Sequence, residues 1–95
     1  MKDRISAQEC VQLYQIDLHF IEALEDSGLI QPLVEDNIKY IIYEDLSALE
    51  RFANWHYDLE INMAGLEVIH HLLQKIESLQ TQNHRLRVGF TDVAL

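Results

Sequence analysis

Five histidines, sixteen carboxylates and one thiol are the groups in this 95-residue chain that could bind a metal or move a proton. Their spacing supports little of that chemistry. Glu67-Val68-Ile69-His70 has the E-x-x-H spacing of carboxylate-bridged di-iron sites. Such a site takes two copies of the motif and two further glutamates projecting into a bundle core, and only one copy is present. The adjacent His70 and His71 point to different faces of a helix, and Glu67 with His71 forms an i,i+4 pair expected to make a weak surface contact. No metal or cofactor is expected. Cys10 is alone, so no intramolecular disulfide can form, and it is expected to pack as a small apolar residue. The chain carries no Gly-rich phosphate loop, no activated Ser or Cys with a plausible base and no H-E-x-x-H motif. A chain this short also has few residues left over for a substrate pocket, so an enzyme is not expected.

The chemistry that the spacing does support is ion pairing. Asp17, Glu22, Glu25 and Asp26 fall within eleven residues, 17–27, that contain no Lys or Arg. Solvated helix faces usually mix signs, and this one does not. Its carboxylates are suited to lysines or arginines of a partner. Exposed pairs contribute only ~0–1 kcal/mol each, so an apolar anchor must supply the rest. Leu33, Tyr40, Tyr43 and Trp55 are the candidates, and the expected partner-binding set is Asp17, Glu22, Glu25, Asp26 and Tyr40. The charge asymmetry extends beyond this helix. Residues 1–60 hold 13 of the 16 acids against four bases (Lys2, Arg4, Lys39, Arg51), while residues 61–95 hold three of each. A phosphate-binding surface needs several cations on one face, because counterion release supplies most non-specific affinity for nucleic acid. A formal charge of −9 instead favours a basic protein and would speed its association at low salt.

These groups must be positioned by short helices. Ser6-Ala7-Gln8-Glu9 is a capping box that opens one, and Gln15-Ile16 leaves a tight connection to the next. Asp17 can cap that second helix; Phe20, Ile21 and Leu24 give it one apolar face, and Gly28 stands where a left-handed residue is wanted. This is the outline of a helix-turn-helix. The apolar runs on either side of Glu35-Asp36-Asn37, Leu33-Val34 and Ile38–Ile42, predict a small β-hairpin wing. Glu44-Asp45-Leu46 then opens a third helix with acids favourably placed in its first turn, and Leu46, Leu49, Phe52, Ala53 and Tyr57 recur at helical spacing. Trp55 lies off that stripe, as a lid over the core edge or as a partner contact.

A long helix is expected from Asn62, a suitable N-cap, to Arg87, with Gly89 just past its end. Its apolar residues follow a heptad seam: Ile69, Leu72, Ile76, Leu79, the polar Asn83 and Leu86, widened by Leu66 and Leu73. A polar Asn at one such position can fix register and oligomer state. The seam is expected to be a homodimer interface, because Gln80-Thr81-Gln82-Asn83-His84 is too polar to cap a globular core; the alternative is a helix folded back on its own domain. The chain thus divides into a domain over 1–59 and a dimerisation helix with a short tail over 60–95. It begins with no basic-then-apolar leader and has no apolar run near 18 residues, so a soluble cytoplasmic protein without membrane contact is expected.

The ordered set of motifs resembles a known family. Ile16 to Pro32 with its GLIQP ending, a hairpin, and Tyr43-Glu44-Asp45-Leu46-Ser47-Ala48-Leu49 are similar to the MerR-type winged helix-turn-helix. The resemblance implies a mostly α fold with a small hairpin wing and a long C-terminal helix. The continuation, Leu59 to Ile69 and Leu79 to Arg87, resembles the chaperone-modulator family CbpM, whose members bind the J-domain of a DnaJ-type co-chaperone and inhibit it. Where DNA-binding MerR proteins carry an arginine followed by aromatics, this chain has Glu22, Ala23 and Leu24; where they carry a wing arginine, it has Lys39-Tyr40. The resemblance therefore implies a regulator that binds a J-domain and blocks engagement of Hsp70. A DNA-binding transcription regulator is the alternative, and an antitoxin-like or adaptor module for another basic protein is a third reading.

Overall fold

The computed structural model describes residues 3–94, with side chains described over 3–86. Met1, Lys2 and Leu95, which the two-part division includes, lie outside the described residues. The elements are strand β1 (Arg4–Ser6), helices α1 (Ala7–Tyr14) and α2 (Leu18–Asp26), strands β2 (Leu33–Glu35) and β3 (Ile38–Ile42), a 3-10 turn (Tyr43–Asp45), helix α3 (Leu46–Ala53), a π-helical turn (Asn54–Asp58) and helix α4 (Met63–Ala94). The protein is a mostly helical winged helix-turn-helix with a small antiparallel sheet and a long C-terminal helix, the expected fold class.

The capping box forms. The Ser6 hydroxyl accepts from the Glu9 amide at 3.1 Å, and Glu9 Oε1 accepts from the Ser6 amide at 3.1 Å, so two orphan donors at the start of α1 are satisfied reciprocally. Gln15 then takes a left-handed conformation (φ 55°), which turns the chain into α2 within two residues. At the far end of α2 the chain leaves through a Schellman turn. The Gly28 amide donates to Glu25 O at 3.0 Å and the Leu29 amide to Leu24 O at 2.9 Å, with Gly28 at φ 76°.

The wing departs from expectation in two respects. Its turn is Asp36-Asn37 alone, both at positive φ (52° and 65°), the two-residue geometry whose twist matches that of the flanking strands; Glu35 belongs to β2 and pairs with Ile38. The sheet also has a third strand. β1 pairs antiparallel with β3 in the register Arg4↔Ile42, Ile5↔Ile41 and Ser6↔Tyr40, giving the order β1-β3-β2. Three residues are too few to show an alternating pattern, so β1 escapes sequence reading.

The innermost core draws on four helices and one strand residue: Ile21, Leu24, Ile41, Leu49, Phe52 and Leu66 are fully buried, with Cys10 among them as a small apolar residue. Other expectations need correction. Asp17 stands at the N-cap of α2, but its side chain makes no capping bond; its backbone amide donates to the Tyr57 hydroxyl at 3.0 Å. The third helix begins with a 3-10 turn containing Glu44 and Asp45, and the α-helix starts only at Leu46. Leu66 does not widen a seam on α4, because it is wholly enclosed by the core. Asn62 does cap α4, its Oδ1 accepting from the Gly65 amide at 2.8 Å. The helix runs on through Gly89 to Ala94, however. A glycine inside a helix costs only about 1 kcal/mol, which leaves the helix free to continue.

Candidate functional site

Helix α2 packs against α1, with Phe20, Ile21 and Leu24 turned into the core. Its opposite side carries the acids, which do not form one cluster. Asp17 and Asp26 are exposed at opposite ends of the helix, separated by about 13 Å at 1.5 Å per residue. Glu22 and Glu25 are half-buried on the side facing the wing. Glu22 lies 3.5 Å from the exposed ring of His19, and Glu25 Oε1 accepts from Lys39 Nζ of β3 at 2.5 Å.

The cations of this region are engaged in the same way. Arg4 of β1 reaches across the sheet to Glu35 of β2 at 2.6 Å, and its guanidinium lies 4.3 Å from the centroid of the Tyr40 ring. The hydrogen bond from Arg4, with the attraction of its charge, holds the Glu35 carboxyl below the usual range, and the same bond raises Arg4. Tyr40 is therefore half-buried under a guanidinium. Of the Lys and Arg among the described residues 3–60, Arg51 alone makes no ion pair, and it sits on α3 away from the reading face.

Between α2, the start of α1 and the wing lies a groove of about 480 Å³. Leu18, Glu22, Ile38, Lys39, Tyr40 and Glu9 line it, together with Ser6 and Asn37. Of the five expected partner-binding residues, it brings together Glu22 and Tyr40 and leaves Asp17 and Asp26 outside; Glu25 adjoins it through Lys39. Leu18 and Ile38 were missing from the sequence reading. Leu18 is an apolar residue off the buried stripe of its helix, and Ile38 alternates outward along β3. Both signals were present in the sequence.

The second apolar surface is on α4. After Ile69 and His70, both half-buried, every residue from His71 to Leu86 is exposed, including Leu72, Leu73, Ile76, Leu79, Asn83 and Leu86. Trp55, half-buried edge-on to Phe52, walls a cleft of about 420 Å³ between α3 and this helix, so it covers the core edge. No ion pair joins Glu67 to His71 among the described residues; His70 instead packs edge-on to Phe52 at 5.7 Å. Among the described residues no three His, Cys, Asp or Glu side chains gather as a metal site, and no helix is long and apolar enough to cross a membrane.

Compared with known families, residues 5–88 match the MerR HTH family of regulatory proteins. The chain belongs to that family. Comparisons with curated proteins and with solved structures gave no match. Within the MerR frame, α2 is the reading helix and β2–β3 the wing. In this MerR protein both present carboxylates, or cations already paired to carboxylates, where a DNA-reading member presents cations to phosphates.

Proposed function

We propose that this MerR-family regulator acts on a protein: it binds the J-domain of a DnaJ-like co-chaperone through the acidic side of α2 and the wing, and so blocks engagement of Hsp70. The observation that carries the reading is the charge arrangement of the α2–wing face. The helix has acids and no base, and Arg4 and Lys39 are tied to Glu35 and Glu25. Phosphates approaching this face would meet repulsion, whereas a basic helix would be attracted. The similarity of residues 59–69 and 79–87 to CbpM supports the J-domain as target. The exposed seam of α4, a stripe of Leu and Ile on a helix that extends beyond the core, supports a homodimer joined through Ile69, Leu72, Ile76, Leu79, Asn83 and Leu86.

The competing reading, a DNA-binding regulator, is supported by the family itself, whose frame is a helix-turn-helix. Calorimetric titration of the full chain with the isolated J-domain of a DnaJ-like protein from the same organism, at 50 and 200 mM salt, separates the two when paired with a gel shift on random duplex. Saturable J-domain binding that weakens with salt, without a shift of the duplex at low salt, is the expected result. Absence of J-domain binding at low salt, or a duplex shift with a steep salt slope, refutes the proposal.

A further inference from the structure

The groove between α2 and the wing offers more than negative charge, and its lining specifies what it can hold. Leu18 and Ile38 remain 42% and 45% exposed, and both line this groove. The carboxylates of Glu9 and Glu22 lie in the same lining. Glu9 takes its capping-box bonds on Oε1, and Glu22 is held only by a 3.5 Å approach of an exposed histidine. Lys39 is the one Lys or Arg in the lining, and its ammonium is bound by Glu25, so the groove presents uncompensated negative charge around apolar walls.

We infer, on the basis of the J-domain reading above, that this groove rather than the acidic face as a whole is the docking site, and that it takes the edge of a basic amphipathic helix of the J-domain. The occupant is specified by complementarity. One aliphatic side chain of the partner packs between Leu18 and Ile38, and a Lys or Arg a turn away extends its stem along the same walls and its charge to Glu22 and Glu9. A volume of about 480 Å³ suits two such side chains and is too small for a whole helix, so the helix lies across the mouth. The apolar pair is the anchor, and the carboxylates orient it and speed its arrival.

Adding acid to the anchor separates this arrangement from simple charge attraction. Leu18→Asp and Ile38→Asp each make the protein more negative. If net charge drives binding, both bind the J-domain as tightly as the unaltered chain or more tightly. If the groove is the site, each loses at least about ten-fold, because an apolar contact at the centre is replaced by a desolvated carboxylate. Leu18 is the first residue of α2, where an acid suits the helix dipole, so the first variant keeps its helix. Circular dichroism and thermal unfolding check that both fold. Glu22→Lys should lose about ten-fold, and Glu50→Lys, an equal charge change on α3, about two-fold or less. Calorimetry with the J-domain at low salt reads all four. Retained or increased affinity in Leu18→Asp and Ile38→Asp overturns the groove while the J-domain reading stands, as does an equal loss in Glu22→Lys and Glu50→Lys. Failure of the unaltered chain to bind overturns both.

Discussion

Removing one positive charge should strengthen binding to a J-domain and weaken any binding to DNA, so the sign of the change decides between the two readings. The residue is Lys39, and the substitution is Lys39→Met, which keeps most of the aliphatic stem in the groove wall. Lys39 Nζ holds Glu25 at 2.5 Å, with the two side chains 27% and 36% exposed. A partner cation docking ~8 Å from Lys39 in a water-like dielectric meets a repulsion of ~0.5 kcal/mol, which the substitution removes; the Glu25 carboxylate attracts that cation in both proteins. The difference, ~0.5 kcal/mol, is about two-fold tighter binding at low salt. Near physiological ionic strength the screening length is about 8 Å and the gain falls to about 1.4-fold. Breaking a part-exposed ion pair should lower stability by ~0.5 kcal/mol, so affinity is expected to rise as the melting temperature falls. Calorimetry with the isolated J-domain at two salt concentrations measures the first effect and thermal unfolding the second. Weaker J-domain binding by Lys39→Met would refute the charge argument. A duplex affinity that drops on the same substitution, with the salt slope shallower by about one, would establish Lys39 as a phosphate contact instead.

Gly28→Ala should destabilise by about 1–2 kcal/mol, which for a domain of this size lowers the melting temperature by roughly 5–10 °C. The left-handed φ of 76° is the whole cause, since a Cβ there would meet nothing within 4 Å, and Gly28→Asn should recover part of the loss. Ile76→Lys, in the middle of the exposed α4 seam, should halve the sedimenting mass of a dimer and leave the unfolding of the N-terminal core within about 1 kcal/mol of the parent. Burial pushes the Cys10 thiol from 9.0 to about 11, with the Glu9 charge adding to the rise. A thiol is neutral when protonated, so its raised native value contributes stability that is fully present below pH 9 and lost as pH climbs through 11. Cys10→Ala should therefore flatten the alkaline limb of a stability–pH profile between those values; an unchanged limb would place the alkaline sensitivity elsewhere.

What could be read from the sequence followed how locally each feature is encoded. The capping box at Ser6 and Glu9, the left-handed Gly28 and the stripe of Phe20, Ile21 and Leu24 are decided by residues within one or two turns of each other, and all three formed as expected. Strand β1 depends on pairing with β3 more than thirty residues away, and nothing within Arg4–Ser6 announces it. The bond made by the Asp17 backbone is equally non-local. The amide is taken by Tyr57, forty residues on, whose position is set by the π-helical turn after α3. Leu66 looked like a flank of the heptad seam because periodicity cannot tell a dimer partner from the chain's own core. The acids of α2 were legible as a set, and Asp17 and Asp26, nine positions apart, had to lie at opposite ends; the pairing of Glu25 was not legible, because Lys39 reaches it only once the wing has formed.

The third strand also bears on what DNA reading would require of this face. A winged helix reads DNA when the helix and the wing present cations to the backbone together. Here β1 brings Arg4 beside the wing, where it could serve that purpose. The register that places it there also sets Glu35 within 2.6 Å and Tyr40 under its guanidinium. On the other side of the wing, Lys39 is taken by Glu25. Replacing Glu22 by Arg would add one cation to the helix and still leave both sheet cations neutralised. Phosphate binding would require breaking two ion pairs as well, with the desolvation and reorganisation that entails. The acidic character of this face thus resides in its pairing geometry as much as in its composition. A partner that brings its own cations meets a surface already organised to receive them, at Glu22 and Glu9 beside Leu18 and Ile38, without breaking either pair.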